Sequence, residues 1–210
     1  MVKQKKEELP EIKDGTNNLL REYIEATRNG EPGRVRSASD QLERFILDKV
    51  KESIDDLYKN DTFLLETGMN EMSVSGRLAM YLQDKVSDFL DYFVDVEYYR
   101  FTKPIREVNN KRNDRIRCDI LLHSRQHFED RVDNLLAIEV KLEKSVDNGS
   151  SDICRLEDFV QPKTAETPEG AIHSTLLGLF LKFGINRYCK VLIKSDNYED
   201  APTREVISLQ

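Results

Sequence analysis

Apolar residues recur at three- and four-residue spacing through much of the first 93 positions, and alternate with polar residues or run together through much of the remaining chain. The first pattern belongs to helices with one buried face, the second to strands. Leu19, Leu20, Tyr23 and Ile24 predict a short helix, capped by Asp14 or Thr16 and ended at Asn29-Gly30. Beyond a break at Glu31-Pro32-Gly33, Leu42, Phe45, Ile46, Val50, Ile54 and Leu57 predict a longer helix over about 39–59. Positions 61–69 read as a connector. Val74, Leu78, Leu82, Val86, Phe89, Leu90 and Phe93 form the next helical stripe, with Asn70 or Ser73 as its N-cap and Glu71 at its first turn.

Strands are expected over 94–101, 115–123 and 135–142. A helix opening at Ser150, Ser151 or Asp152 carries Ile153, Leu156, Phe159 and Val160, and two more strands are expected over 172–183 and 188–194. Helices followed by the order α-β-β-β-α-β-β predict an α/β fold with a central mixed sheet flanked by helices. Residues 1–66 are expected to form a helical N-terminal extension, and 67–210 the domain that holds the sheet. The apolar stripe of the extension either packs on that domain or takes a protein partner, a second copy of the chain included.

Composition narrows the class. Charged residues make up 34% of the chain, and no apolar run approaches the roughly 18–20 residues of a membrane span, so no membrane partner is expected. The opening Met-Val-Lys-Gln-Lys-Lys-Glu-Glu has no apolar signal-peptide core behind it. Cys118, Cys154 and Cys189 are widely spaced and fit neither a zinc site nor a disulfide framework. A reducing, cytoplasmic setting is therefore expected. A net charge of −7 argues against coating nucleic acid by bulk attraction. One local surface runs the other way: Arg100, Lys103, Arg106, Lys111, Arg112, Arg115 and Arg117 face only Glu107 and Asp114 in the same stretch. Arg106, Lys111, Arg112, Arg115 and Arg117 are the candidate nucleic-acid contacts, set against the alternative of a solvated charged loop.

The most informative stretch is Leu-Leu-Ala-Ile-Glu-Val-Lys-Leu at 135–142. As a strand it sends Leu136, Ile138, Val140 and Leu142 to one face, and Ala137, Glu139 and Lys141 to the other. An acid and a base beside a core are costly unless paired, hydrogen-bonded or bound to metal. Asp119 lies on the preceding expected strand, so Asp119 and Glu139 are two hard oxygen ligands suited to Mg²⁺ or Mn²⁺. Lys141 on the same face could orient a metal-bound water, deprotonate it, or stabilise charge on a phosphate. The kit suits phosphodiester hydrolysis. A structural ion-pair cluster in an unrelated α/β protein is the plainer alternative.

Asp119, followed 20 residues later by Glu139-Val140-Lys141 on an apolar strand, resembles the PD-(D/E)XK nuclease superfamily, with its restriction-endonuclease-like αβββαβ core. The resemblance covers roughly residues 70–195. It implies metal-dependent cleavage of nucleic acid, DNA ahead of RNA, with Asp119, Glu139, Lys141 and Glu71 as the catalytic set. Asp119 and Glu139 would be metal ligands, with the Val140 backbone carbonyl as a third and Glu71 as an accessory one. Cys118 stands where that family often has proline. The alternative within the same fold is an inactive module that binds nucleic acid or a protein partner. His123, His127 and His173 have no ligand spacing, and neither a glycine-rich phosphate loop nor a Gly-x-Ser-x-Gly motif occurs.

Overall fold

The computed structural model describes residues 15–89, 91–97, 118–125, 134–160, 175–185 and 188–194, together with the backbone of 203–209. Two helices come first, α1 (Gly15–Arg28) and α2 (Pro32–Glu66). The second is longer at both ends than the apolar stripe predicts. Pro32 opens it, at a position where its missing N–H costs nothing and its fixed φ suits a helix. At the other end Asp61 leaves helical geometry (φ −130°, ψ 22°), yet the helix resumes to Glu66, so much of the expected connector is helical. The Asp61 carboxylate accepts hydrogen bonds from Arg77 Nε at 2.9 Å and Tyr81 Oη at 2.5 Å, which fastens the kink to the next helix.

That next helix, α3 (Glu71–Lys85), starts at Asn70, whose Oδ1 accepts from the Ser73 amide at 2.9 Å and the Ser73 hydroxyl at 2.8 Å. It ends sooner than its stripe suggests. Val86 and Phe89 lie beyond it but stay buried, and Phe93 opens a strand.

The strands are β1 (Phe93–Val96), β2 (Ile120–His123), β3 (Asn134–Leu142), β4 (Thr175–Phe183), β5 (Tyr188–Lys194) and β6 (Thr203–Leu209), with α4 (Ser150–Val160) between β3 and β4. They form one six-stranded mixed sheet in sequence order. Every neighbouring pair is antiparallel except β3 and β4. A parallel pair cannot be joined by a tight turn, and α4 lies in the connection.

The alternation along β3 decides which layer covers which face. Leu136, Ile138 and Val140 join Leu177, Leu179 and Leu181 of β4 in a core completed by Leu42, Ile46 and Ile54 of α2 and by Val74, Leu78 and Leu82 of α3. Each such side chain stabilises the fold by about 1.5–3 kcal/mol on burial. The stripe of the N-terminal helices is thus buried within the chain. On the opposite face Ala137 packs with Leu156 and Val160 of α4, Phe180 of β4 and Ile193 of β5. A Cβ on Gly178 would lie 3.1 Å from Val160 Cγ2 and 3.3 Å from Leu156 Cβ, so the bare glycine lets α4 settle closely on β4. Among the described residues, no helix is long and apolar enough to cross a membrane.

Candidate active site

The face of β3 that carries Ala137 also carries Glu139 and Lys141, so both project toward α4. Glu139 is only 3% exposed, and a carboxylate so placed needs partners. Arg155 of α4 supplies one, its Nε donating to Glu139 Oε1 at 3.1 Å. Asp119 lies beside it as a second, like-charged acid. It sits at a bend just before β2, and its Oδ2 accepts a hydrogen bond from the Val140 amide at 2.8 Å. The bend shifts the phase of the segment: Cys118 packs with Leu121 on the α4 side, where strict alternation would put it with Ile120 and Leu122.

Burial pushes Glu139 up to about 8; the Asp119 charge adds to this, and Arg155 opposes it. Asp119 is also raised, first by burial, against hydrogen bonds from the Val140 amide and from Glu139, with the charges of Asp152 and Glu71 adding to the rise. Two acids side by side in a buried site disfavour each other's charge, so burial and like-charge repulsion raise both. Burial raises the Cys118 thiol, as do the charges of Glu139 and Asp119, which leaves it inert as a nucleophile.

Lys141 Nζ lies 3.2 Å from Glu71 Oε2 and 3.2 Å from Asp152 Oδ2. Burial works against its charge, but the two carboxylates outweigh burial and raise the lysine above its ordinary value. An ammonium held in this way is a poor base. Of the three roles open to Lys141, orienting a water and stabilising phosphate charge fit the geometry better than deprotonation. Glu71 is fully engaged by this arrangement, its other oxygen accepting from the Leu142 amide at 3.3 Å.

All four acid and base residues expected from the sequence therefore meet in one neighbourhood, Asp119 with Glu139 and Glu71 with Lys141. Two more join them from α4. Asp152 bonds Arg155 through Oδ1 and faces Lys141 through Oδ2, and Arg155 bridges Asp152 and Glu139. From the sequence, Asp152 is only a possible helix cap and Arg155 has no role. Their three-residue spacing puts them on one helix face, but such pairs abound in charged helices.

The acid pair fits a hard divalent cation. Mg²⁺ needs only one or two protein carboxylates, with waters and a substrate phosphate around the rest of the ion. Four carboxylates here face two cations, so with every group ionised two negative charges are left over, the charge one divalent ion offsets. Among the described residues no group of three or more His, Cys, Asp or Glu side chains is arranged as a metal cage, and Glu71 is turned to Lys141 and Leu142 instead.

Arg106, Lys111, Arg112, Arg115 and Arg117 lie outside the described residues, as do His127 and His173. His123 is a buried, satisfied histidine: Nε2 lies 2.9 Å from Asp95 Oδ2, and Nδ1 accepts from the Arg125 amide at 3.3 Å. Arg77, bonded to Asp61, ties α3 to α2. No family model matches the chain, and no curated protein or solved structure matches it either.

Proposed function

We propose that this chain is a metal-dependent nuclease that hydrolyses phosphodiester bonds in nucleic acid, DNA ahead of RNA, on a restriction-endonuclease-like fold. The observation that carries the proposal is the pairing of Asp119 with Glu139 beside the twice-held ammonium of Lys141. The element order α3-β1-β2-β3-α4-β4 agrees with an αβββαβ core. The carboxylates of Asp119 and Glu139 and the carbonyl of Val140 would hold Mg²⁺ or Mn²⁺, and Glu71 would join them only by leaving Lys141. Bound there, the ion would supply an acidified water and offset phosphate charge. Lys141 would donate to a phosphate oxygen or to the attacking water, and Glu139 would hold the ion in its ionised form.

The test is incubation of the protein with plasmid, single-stranded DNA and RNA in Mg²⁺, in Mn²⁺ and in EDTA. Metal-dependent cutting that is lost in Lys141→Ala is expected. An uncut panel, or an unimpaired Lys141→Ala, rejects the assignment.

A specific contact favours a second possibility, an inactive module of the same fold. Arg155 already donates to Glu139, a contact that gives this carboxylate a partner within the chain. Salt-dependent binding of nucleic acid that Arg112→Ala and Arg115→Ala abolish, without cutting in any metal, would single out this possibility.

A further inference from the structure

Arg155 and Asp152 are bound to the catalytic residues without a part in the proposed chemistry. Asp152 is 3% exposed, a buried carboxylate on the face of α4 that meets the sheet. Its Oδ1 takes Arg155 Nη2, and its Oδ2 lies 3.2 Å from Lys141 Nζ without a regular hydrogen bond. One rigid carboxylate therefore fixes two cations side by side. Each has a second anchor: Glu71 for Lys141 and Glu139 for Arg155.

The two cations differ in exposure. The Lys141 side chain is largely covered, whereas that of Arg155 is 42% exposed. Arg155 uses Nε and Nη2 on the acids, which leaves Nη1 without a partner among the described residues. A guanidinium carries five N–H groups in a planar fork, so a donor edge remains for an incoming acceptor. A half-exposed arginine, fixed on its inner edge and open on its outer one, suits a phosphate oxygen.

We propose that Arg155 and Lys141, set beside each other by the buried carboxylate of Asp152, form a two-point clamp for a backbone phosphate of the nucleic-acid substrate; this rests on the nuclease assignment. Arg155 is then a substrate-binding residue and Asp152 a positioning residue. The rival role for Arg155 is a counter-ion for Glu139 alone, and binding measurements separate the two.

The experiment measures affinity for a fluorescein-labelled oligonucleotide, single-stranded and duplex, across a KCl series in EDTA and again in Ca²⁺. For Arg155→Gln the clamp gives about ten-fold weaker binding, the size expected for one lost charged hydrogen bond. The slope of log affinity against log salt falls by about 0.9 on the duplex and about 0.7 on the single strand, one phosphate contact fewer. Arg155→Lys recovers part of the affinity. Asp152→Asn weakens binding with an unchanged circular-dichroism spectrum. Parental affinity and slope in Arg155→Gln overturn the clamp. Should Arg155→Gln unfold because Glu139 loses its partner, Glu139→Gln/Arg155→Gln is compared with Glu139→Gln. A clamp loses affinity between these two, and a counter-ion does not. A parent that cuts DNA while Arg155→Gln binds as tightly as the parent rejects the clamp and keeps the nuclease. A parent that binds but never cuts rejects the nuclease, and the arginine variants still judge the clamp. A parent that does neither rejects both.

Discussion

The Val140 amide donates to Asp119 Oδ2 at 2.8 Å, and this bond ties the first acid to the strand that presents the second. Val140 lies between Glu139 and Lys141, so its side chain enters the large core while its backbone amide serves the site. The same residue thus anchors the sheet and aligns the acids. Asp119 stands at a bend where its carbonyl accepts from the Glu97 amide at 3.0 Å, and the Val140 bond holds its side chain on the strand that carries Glu139.

That relation sets a pH dependence. Glu139 is raised by burial to about 8 from an ordinary value of 4.5. Between these values the folded chain keeps a proton that the unfolded chain releases. Folding then takes up a proton, so this group's contribution to stability is complete below the window and is lost as pH rises through about 8. On the proposed function a divalent ion would need both carboxylates deprotonated, so its binding would release the proton and gain with pH. In thermal melts, the metal-free protein is expected to lose stability from about pH 6 to about pH 8.5 relative to Glu139→Gln. Mg²⁺ should raise the melting temperature more at the higher pH. A metal-free parent that gains stability relative to Glu139→Gln across this window would contradict the assignment.

Lys141 carries the site's best-held positive charge, between Glu71 and Asp152. Lys141→Ala should reduce cleavage by about a hundred-fold or more, the usual effect of removing a preorganised charge-stabilising donor. It also strands two acids, so a melting curve must accompany the rate measurement. A folded Lys141→Ala that cuts at the parental rate would remove Lys141 from the catalytic set.

The position of α4 depends on Gly178. Gly178→Ala would place a methyl group 3.1 Å from Val160 Cγ2 and 3.3 Å from Leu156 Cβ, closer than ordinary van der Waals contact. Overpacking of this kind costs about 1–3 kcal/mol where the neighbouring Val160, Leu156 and Ile193 side chains do not give way, and what they do not absorb shifts α4 on the sheet. Because Asp152 and Arg155 ride on α4, cleavage should fall together with stability. Urea unfolding and a cleavage assay on one preparation check this. Full activity in a destabilised Gly178→Ala would show that the reacting groups do not depend on the seat of α4.

The acids were legible in the sequence because charge inside an apolar strand is conspicuous, and the alternation along 135–142 states which face each side chain takes. Asp152 and Arg155 were not, because their role depends on α4 packing against Gly178, a contact with no local signature. The kink at Asp61 was hidden for a similar reason: its partners, Arg77 and Tyr81, lie on another helix. β6 has no such signal in the sequence either. It pairs with β5 and closes the sheet order, and an edge strand need not show a two-sided apolar run. The segment 203–209 opens with Thr-Arg-Glu.

The N-terminus of α3 connects local structure to the site most directly. Asn70 Oδ1 accepts from the Ser73 amide and hydroxyl and closes the first turn, the turn that holds Glu71 toward Lys141 and the Leu142 amide. Replacing an N-cap asparagine by alanine costs about 1 kcal/mol. Asn70→Ala should therefore lower stability by roughly that amount and loosen Glu71, whereas Asn70→Ser or Asn70→Asp keeps a capping oxygen and should retain most of both. If Glu71 matters only by holding Lys141, Glu71→Gln should reproduce the activity loss of Asn70→Ala while leaving the helix cap intact, since the amide oxygen of glutamine can still accept from Leu142. If Glu71 is also an accessory metal ligand, Glu71→Gln should in addition raise the Mg²⁺ concentration needed for half-maximal cleavage, and Asn70→Asp should not. Chemical denaturation of the four variants beside Mg²⁺ titrations of their cleavage rates decides between the two roles, and a Glu71→Gln that matches the parent in rate and Mg²⁺ requirement removes Glu71 from the site.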